Sequence, residues 1–473
     1  MKFYIETFGC TSNAGNSQDL VSALLAMGHI RSPLEEADVI IVNTCAVTEK
    51  TERKILQRLL QLSGEKLIVA GCLPVAIPKS VEGIRCRACL GLLNRSSARK
   101  IAEIYRELQD GNATTAPLSA ASYPGAATQI IASQIVTSQI VRTQIATPQI
   151  VGSRIVTSPE DAISSDVRSQ ESLLSVVNIS EGCNGSCTYC IVKKARGNLK
   201  SRSIEDVAAE VEAAVKRGAS EVQLSAQDTA AYGTDIGTDL VELLKTLAEI
   251  PGDFKLRLGM MNPKNAMAIR SDLLEALKSP KIYRFLHIPV QSGSDRILWS
   301  MGRRYSAQDF IQLAGYFRSA YPDITIITDV IAGFPGETEA DFRETINIID
   351  LLQPDKVNVT KFSARPGTEA SRLYDMPDRI KKDRSRELTR QWQKIALKRN
   401  QQYIGRPLDV RVTEQGRDGS MKARADNYLG VVIRGRPVLG SSVRVLIEGG
   451  NAFYASGRVM SDSIANCILA SMH

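Results

Sequence analysis

The sequence lacks any long hydrophobic run. No stretch approaches the roughly 20 consecutive apolar residues that span a bilayer, so a membrane-spanning helix is not expected. The N-terminal segment MKFYIETFGC has neither the apolar core nor the small-residue cleavage pattern of a secretory signal. We therefore expect a cytoplasmic protein without a membrane partner.

Histidine is also scarce, since the 473 residues include only His29, His287 and His473. The nine cysteines are an odd number. In a reducing cytoplasm such thiols are better explained by metal binding or catalysis than by disulfides. The formal net charge of +8 permits a polyanionic partner without requiring one.

Residues 1–110 alternate strand-like and helix-like segments, which predicts a parallel α/β domain. The strand candidates KFYIETF, ADVIIVN and KLIVAG are each followed within a few residues by Cys10, Cys45 or Cys72. The carboxyl ends of parallel strands share one edge of the sheet. We therefore expect these three thiols to meet, although 35 and 27 positions separate them.

Residues 111–168 have a different composition. Thr128–Thr157 contains a five-residue unit repeated six times, with isoleucine always third. A period of five fits neither a helix nor a strand, so we interpret the segment as a linker. A small β-rich module is the alternative, because isoleucine, valine and threonine favour strands.

Residues 169–378 resume the alternation of strands and helices. Six strands with intervening helices predict a partial (β/α)6 barrel rather than a complete eight-fold one. The strand candidates are LLSVVNIS, SEVQLSA, KLRLGM, RFLHIPV, ITIITDVIAG and KVNVTKF. The segment EGCNGSCTYC, with Cys183, Cys187 and Cys190, belongs to the loop after the first strand, at the barrel face that usually carries chemistry.

The C-terminal part begins with a basic connector helix at 379–401. It has nine Lys or Arg against two acidic residues between Arg379 and Arg399. Such a helix is most often simply solvated, and phosphate binding is the alternative. Residues 402–462 show short strands separated by glycine-rich turns, which predicts a small β-barrel of the kind that binds oligonucleotides.

The three clustered cysteines are too few for a closed zinc site. Thiolates are soft ligands that suit zinc and iron–sulfur clusters. Three of them can hold a four-iron cluster and leave one iron free to bind a small molecule, which we prefer to structural zinc. We interpret Cys86, Cys89 and Cys467 as incidental thiols rather than as an extra metal site.

The motif CNGSCTYC resembles the CxxxCxxC motif of radical S-adenosylmethionine (SAM) enzymes. Together, the motifs FGC, NTCAV, GCLP, SAQDTAAYG, RLGMMNP, HIPVQSGSDRILWSMGRRY, DVIAGFPGETEADF and SARPGT resemble the methylthiotransferase subfamily. The resemblance implies an N-terminal methylthiotransferase domain at 1–110, the linker at 111–168, a radical-SAM domain at 169–378, the connector at 379–401 and a TRAM RNA-binding domain at 402–462.

The same resemblance implies the site residues. SAM would be both radical source and methyl donor, together with two [4Fe-4S] clusters. The implied metal ligands are Cys10, Cys45, Cys72, Cys183, Cys187 and Cys190, the last three also being catalytic. Implied SAM-binding residues, at or just after strand ends, are Tyr189, Gln227, Asp228, Arg257, Gln291 and Ser292. Implied substrate-binding residues are Arg196, Asn198 and Arg365.

The substrate is indicated by the element ARGNL, Ala195 to Leu199. It resembles the archaeal and eukaryotic branch that acts on N6-threonylcarbamoyladenosine (t6A) at position 37 of tRNA, giving 2-methylthio-t6A. The alternatives are isopentenyladenosine in tRNA, a ribosomal protein side chain, or a non-enzymatic iron–sulfur RNA-binding protein. In the structural alternative, Arg196 binds only its own protein. The expected partners of a monomer are the tRNA anticodon loop, a reductant protein and an undefined sulfur donor.

Overall fold

The computed structural model describes residues 1–109, 173–416 and 418–460. These residues form two units, divided between Ala162 and Ile163, each with its own hydrophobic core. The repeat Thr128–Thr157, the remainder of 111–168 and Cys467 lie outside the described residues, so their predictions stay untested. Among the described helices, none combines the length and apolar character needed to cross a membrane.

The first unit contains a five-stranded, fully parallel sheet in the order β2-β1-β3-β4-β5. Its core includes Phe3, Leu20, Ile41, Ile68 and Ile101. The parallel α/β prediction is confirmed. The elements are β1 Lys2–Thr7, α1 Thr11–Ala26, β2 Ile30–Arg31, β3 Val39–Thr44, α2 Glu49–Gln61, β4 Leu67–Gly71, α3 Cys72–Ala76, β5 Ala88–Cys89 and α4 Ser97–Gln109.

The second unit begins with a six-stranded parallel barrel, as the sequence predicts. Its strands form two three-stranded sheets, and bridges between Leu256 and Ile282 and between Met260 and His287 connect them. The strands are β6 Leu174–Asn178, β9 Glu221–Ser225, β10 Lys255–Leu258, β11 Phe285–His287, β12 Thr325–Ala332 and β13 Lys356–Lys361. The short strands β7 Ser180–Glu181 and β8 Lys200–Ser201 form a separate antiparallel pair.

Helices cover the outside of this barrel. Two of them start with reciprocal capping boxes, Ser306 with Asp309 and Thr338 with Asp341, which satisfy the free amides of the first turn. The helices are α5 Val192–Arg196, α6 Ile204–Lys216, α7 Leu240–Glu249, α8 Pro263–Ala268, α9 Arg270–Ala276, α10 Asp295–Ser300, α11 Ala307–Ala320 and α12 Glu339–Leu352.

The basic connector is helix α13, Asp378–Gln401. Leu388, Trp392 and Ile395 lie on its buried face. Two of its cations are also buried: Lys381 pairs with Asp375 at 2.8 Å and Arg384 pairs with Glu337 at 2.6 Å. Part of the basic excess therefore stabilises the protein itself, and neither the fully solvated helix nor a uniform phosphate-binding face describes it.

The C-terminal part is a closed five-stranded barrel in the order β14-β15-β16-β18-β17. Its core contains Val412, Ala423, Ile433, Val445 and Ile447. The predicted small β-barrel is thereby confirmed. Its strands are β14 Pro407–Gln415, β15 Met421–Ala425, β16 Gly430–Arg434, β17 Ser442–Gly450 and β18 Ala455–Val459.

Candidate iron–sulfur and SAM site

The loop that carries the three clustered cysteines lies between β7 and α5, at the carboxyl end of β6. Thr188 anchors this loop, because its amide donates to the carbonyl of Met301 at 3.0 Å and its hydroxyl to that of Ser300 at 2.9 Å. Gly182 has φ +79°, and a Cβ there would lie 2.0 Å from the carbonyl oxygen of Asn198. Only glycine fits this close crossing of two chain segments.

The three thiols are partly buried and unoxidised. Burial raises the pKa of Cys183, and it raises the pKa of Cys190 to about 11, with further repulsion from the neighbouring cysteine sulfurs. Binding of a metal must therefore displace protons. Arg303 acts in the opposite direction, because its positive charge favours the thiolates.

The loop suits an iron–sulfur cluster in its donor types and its open space. Gly185 donates its amide to Sγ of Cys183 at 3.2 Å, and a Cβ at Gly185 would lie 3.1 Å from that sulfur and 3.9 Å from Sγ of Cys187. The absence of a side chain at Gly185 therefore leaves space next to the sulfurs of Cys183 and Cys187. Across 1–109, 173–416 and 418–460, no three His, Cys, Asp or Glu side chains are already arranged to hold a metal ion.

Tyr189 is part of this loop, and Asp228 lies close enough to Cys183 to raise the pKa of its thiol. The hydroxyl of Tyr189 accepts a hydrogen bond from Arg303 at 2.7 Å, and its ring packs edge-on against Phe334. Asp228 accepts from the amide of Asn262 at 2.9 Å and from Asn265 at 2.7 Å. Burial raises the pKa of Asp228. Gln227, directly after β9, is half-buried.

Gln291 and Ser292 differ in backbone conformation and in the contacts of their side chains. Gln291 has φ +71°, a left-handed conformation that costs energy for a residue other than glycine, and it continues the pairing with β12. Ser292 is wholly buried, and its hydroxyl lies 3.4 Å from that of Thr345 in α12. The hydroxyl of Ser292 thus has partners within the protein, and its contact with SAM stays a prediction.

Arg257 lies within β10 rather than beyond its end. Its guanidinium stacks 4.8 Å from the ring centroid of Phe285 and 5.7 Å from that of Tyr428 in the C-terminal barrel. Phe285 is the first residue of β11, so this guanidinium faces the amino-terminal end of the barrel. The cysteine loop lies at the opposite end. The contact of Arg257 with SAM stays a prediction, and its described contacts are the rings of Phe285 and Tyr428.

The structure places the three predicted substrate-binding residues in different environments. The side chain of Arg196 is only 2% exposed and pairs with Glu181 at 2.9 Å, which joins the end of α5 to β7; its contact with the substrate stays a prediction. Asn198 is exposed in the turn between α5 and β8. Arg365 is buried just after β13, where its carbonyl accepts from the hydroxyl of Thr368 at 2.7 Å.

The first unit brings the three strand-end cysteines together around Asn13. The side-chain amide of Asn13 donates to the carbonyls of Phe8 at 2.8 Å and Thr44 at 2.9 Å, which precede Cys10 and Cys45 by two residues and one residue. Its Oδ1 lies 3.7 Å from Sγ of Cys72. One asparagine in α1 thus contacts the ends of all three loops.

Gly9 closes this cluster of loops. It has φ +115°, and a Cβ there would lie 2.6 Å from Cβ of Cys45. Cys10 is exposed, whereas Cys45 and Cys72 are buried. Burial also raises the pKa of Cys86 to about 12, and its incidental role stays a prediction.

Three family models match successive parts of the chain. They are Uncharacterized protein family UPF0004 over residues 2–87, Radical SAM superfamily over residues 177–349 and TRAM domain over residues 401–460. A protein of Archaeoglobus fulgidus named probable threonylcarbamoyladenosine tRNA methylthiotransferase is 37% identical over 466 residues, which cover 98% of this chain and 99% of that protein. This chain belongs to the threonylcarbamoyladenosine tRNA methylthiotransferase family.

Other members of this family and one solved structure extend the comparison. The human threonylcarbamoyladenosine tRNA methylthiotransferase is 30% identical, over 98% of this chain and 74% of its own length. The radical SAM methyltransferase TsrM of Kitasatospora setae has a TM-score of 0.52 at 13% identity, covering 78% of this chain and 75% of its own, and supports the fold alone. The superfamily match indicates SAM and a [4Fe-4S] cluster as cofactors.

Sequence reasoning missed several site residues of this threonylcarbamoyladenosine tRNA methylthiotransferase family member. Asn13 in the first unit and Arg303 in the second are two of them. In the barrel lumen, Nε2 of His287 lies 3.0 Å from Oδ1 of Asp329, and the amide of Asn358 donates to the same oxygen at 2.6 Å. Burial alone would raise the pKa of Asp329, but these two partners hold it below its usual value. The sequence did contain a signal, because His287, Asp329 and Asn358 are polar residues inside largely apolar strands.

Proposed function

We propose that this protein is a tRNA methylthiotransferase that converts t6A at position 37 into 2-methylthio-t6A. The observation that carries the proposal is the cysteine triplet at the mouth of a six-stranded barrel, in a chain that matches relatives of that name over nearly its whole length. The C2–H bond of adenine is not accessible to ordinary acid–base catalysis. When bound, the cluster and SAM supply a 5′-deoxyadenosyl radical for this bond.

The residues around the triplet have distinct roles in this proposal. Cys183, Cys187 and Cys190 are the cluster ligands. The amide of Gly185 stabilises a thiolate by its hydrogen bond. Arg303 compensates the negative charge of the cysteine sulfurs, and its bond to Tyr189 keeps both side chains in place. Gln227, Asp228 and Gln291 at the carboxyl ends of the strands remain the proposed SAM contacts.

The second cluster belongs to the first unit in this proposal. Cys10, Cys45 and Cys72 are its proposed ligands, and it would supply or carry the sulfur. What supports this role is the network of Asn13, which holds the three loops at one sheet edge. A purely structural function of these thiols would not require Cys10 to be exposed.

The C-terminal barrel is the proposed tRNA-binding part. Its exposed Arg434 and Arg436 have no ion pair with any described residue, which leaves them available for phosphate. Phe453 and Tyr454 are exposed aromatics, 54% and 40% accessible, that can stack on bases. Contacts to phosphates would position the tRNA without reading its sequence.

Mass spectrometry of tRNA nucleosides tests the proposed reaction. We expect methylthio-t6A to be present in cells with this gene and absent after its deletion, while t6A itself persists. Complementation with Cys187→Ala should fail, whereas complementation with Cys86→Ala should succeed. An unchanged nucleoside profile after deletion would refute the assignment, and loss of methylthio-isopentenyladenosine instead would favour the sister tRNA branch.

A further inference from the structure

The barrel lumen has different residues at its carboxyl end, in its middle and at its amino-terminal end. Strand alternation and the pairing of Ile327 with Lys356 and of Asp329 with Asn358 place polar residues on the inward face. The cysteine loop lies at the carboxyl ends of the strands, and His287 and Asp329 occupy the middle. Their side chains keep 17% and 24% of their surface accessible, so the lumen reaches solvent at this level.

The amino-terminal end of the lumen is closed by a residue of the C-terminal barrel. Tyr428, in the turn after β15, has φ +67° and donates its hydroxyl to Glu221 at 3.1 Å. Its ring lies 4.7 Å from that of Phe285 and 4.9 Å from that of Tyr283. Arg424 stacks on the same ring at 4.8 Å. We call this closure the lumen floor.

Three cations converge on the lumen floor. Arg257 stacks between Phe285 and Tyr428, and Lys356 begins β13 on the inward face, close enough to Arg257 and Arg424 that both lower its pKa, after burial. None of these three cations forms an ion pair with another described residue. The Nε of Arg257 is buried and has no hydrogen-bond partner among the residues the structure includes.

Three carboxylates lie near these cations, and each already has a partner: Asp329, Glu221, and Glu414, which pairs with Lys422. Asp329 accepts from His287 and Asn358, as described above. Glu221 accepts from Tyr428 and, at 2.8 Å, from Gln223. None of these carboxylates forms an ion pair with Arg257, Lys356 or Arg424, so among the described residues the three cations lack a direct anionic partner. Since partly buried unpaired cations are costly, an anionic ligand is the natural partner.

We propose that Arg257 and Lys356 bind the carboxylate of the threonylcarbamoyl group of the substrate, with Arg424 behind them. This inference rests on the proposed function. The adenine would lie towards the cysteine loop, and its N6 substituent would extend towards the floor. An isopentenyl group carries no charge and would leave both cations unpaired. The floor therefore selects t6A by penalising a neutral substituent as well as by attracting the acid.

Binding of two matched RNAs tests this inference. Anticodon stem-loops of one sequence would carry either t6A or its methyl ester, which is neutral and nearly the same size. We expect the reconstituted protein to bind the acid about 10- to 100-fold more tightly in a fluorescence anisotropy titration, as hydrogen bonds to a desolvated charged group predict. Lys356→Met should remove most of this preference and leave the affinity for the ester unchanged.

Control variants distinguish recognition from folding. Lys356→Arg should restore much of the preference, and Lys245→Met, on the exposed side of α7, should leave it intact. Equal affinity of the native protein for both RNAs would overturn the inference. An equal loss for both RNAs in Lys356→Met would also overturn it, because that result indicates a structural role or a backbone phosphate ligand.

The failure of this inference is separable from failure of the proposed function. If the native protein methylthiolates the t6A stem-loop but Lys356→Met retains the full preference for the acid, only the floor assignment is wrong. If the native protein modifies an isopentenyladenosine stem-loop and not the t6A one, the proposed substrate itself is wrong. Arg257→Met gives an independent check, with the same expected loss of preference.

Discussion

Replacement of Asn13 by alanine tests the organisation of the N-terminal cysteines. Asn13 is 1% exposed, and its amide is the donor for two carbonyls at 2.8 and 2.9 Å. In Asn13→Ala both carbonyls lose that donor where water has little access. A buried carbonyl without a partner costs about 1–3 kcal/mol, so two of them predict a loss of about 2–6 kcal/mol in local stability.

Hydrogen exchange measured by mass spectrometry is the suitable assay. A chain with two units need not unfold in one step, so a single melting temperature would mix their contributions. Because 1.4 kcal/mol corresponds to a factor of ten, protection of peptides containing β1 and β3 should fall by about 30-fold or more. Gln57→Ala, at an exposed position of α2, is the control and should change nothing.

The iron content provides a second result for the same variant. If each cysteine triplet holds four irons, the reconstituted native protein contains roughly eight and Asn13→Ala roughly four, since the loops of Cys10, Cys45 and Cys72 are no longer held together. The reasoning is refuted if Asn13→Ala exchanges like the native chain in β1 and β3. Retention of the full iron content by a destabilised variant would show that the thiols assemble without the asparagine.

Three further predictions concern other parts of the chain. Arg384→Met removes one member of a buried ion pair and leaves a glutamate unpaired, so we expect about 3–5 kcal/mol of destabilisation, measured by hydrogen exchange of peptides from α13, and a fall in protection below about 10-fold would contradict this. Burial alone would raise the pKa of Asp341, but hydrogen bonds led by that of Arg296 hold it below the ordinary 3.8. The stability that Asp341 contributes is therefore complete above about pH 4 and is lost as the pH falls further. The free energy of unfolding measured with a chemical denaturant should differ between the native chain and Asp341→Asn, and this difference should shrink in acid. A difference that stays constant with pH would contradict the ion pair. Gly9→Ala forces a Cβ against Cys45, and we expect iron to be lost from the first unit while reductive SAM cleavage persists; full iron content would show that the loop adapts.

The patterns of strands, helices and turns were sufficient to predict the parallel sheet of the first unit, the six-stranded barrel and the C-terminal barrel. Apolar runs with turn residues between them specify such elements locally. The same logic correctly placed Cys10, Cys45 and Cys72 at one sheet edge, because parallel strands share their carboxyl ends. Asn13 could not be found in this way, since its importance depends on carbonyls that lie five and 31 residues away in the chain.

The direction of individual side chains was the part that could not be predicted. Ser292 and Arg257 lie in motifs at or near strand ends, yet the first bonds to a helix and the second stacks on the lumen floor. A position near a strand end fixes where the backbone lies, whereas packing decides which way the side chain points. Arg196 illustrates the same limit, because a glutamate 15 residues earlier in the chain is its partner.

Tyr428 gives the C-terminal barrel a second role, in addition to the proposed binding of RNA. A module that only bound RNA could be exchanged for another RNA-binding module without altering the chemistry. Here, the module also closes one end of the barrel lumen, because Tyr428 contacts Glu221 in β9 and Phe285 in β11, and Arg424 stacks on Tyr428. A graft from a relative with a different substrate should therefore transfer part of the substrate preference along with the RNA affinity, and a truncated chain should admit water to the lumen from below.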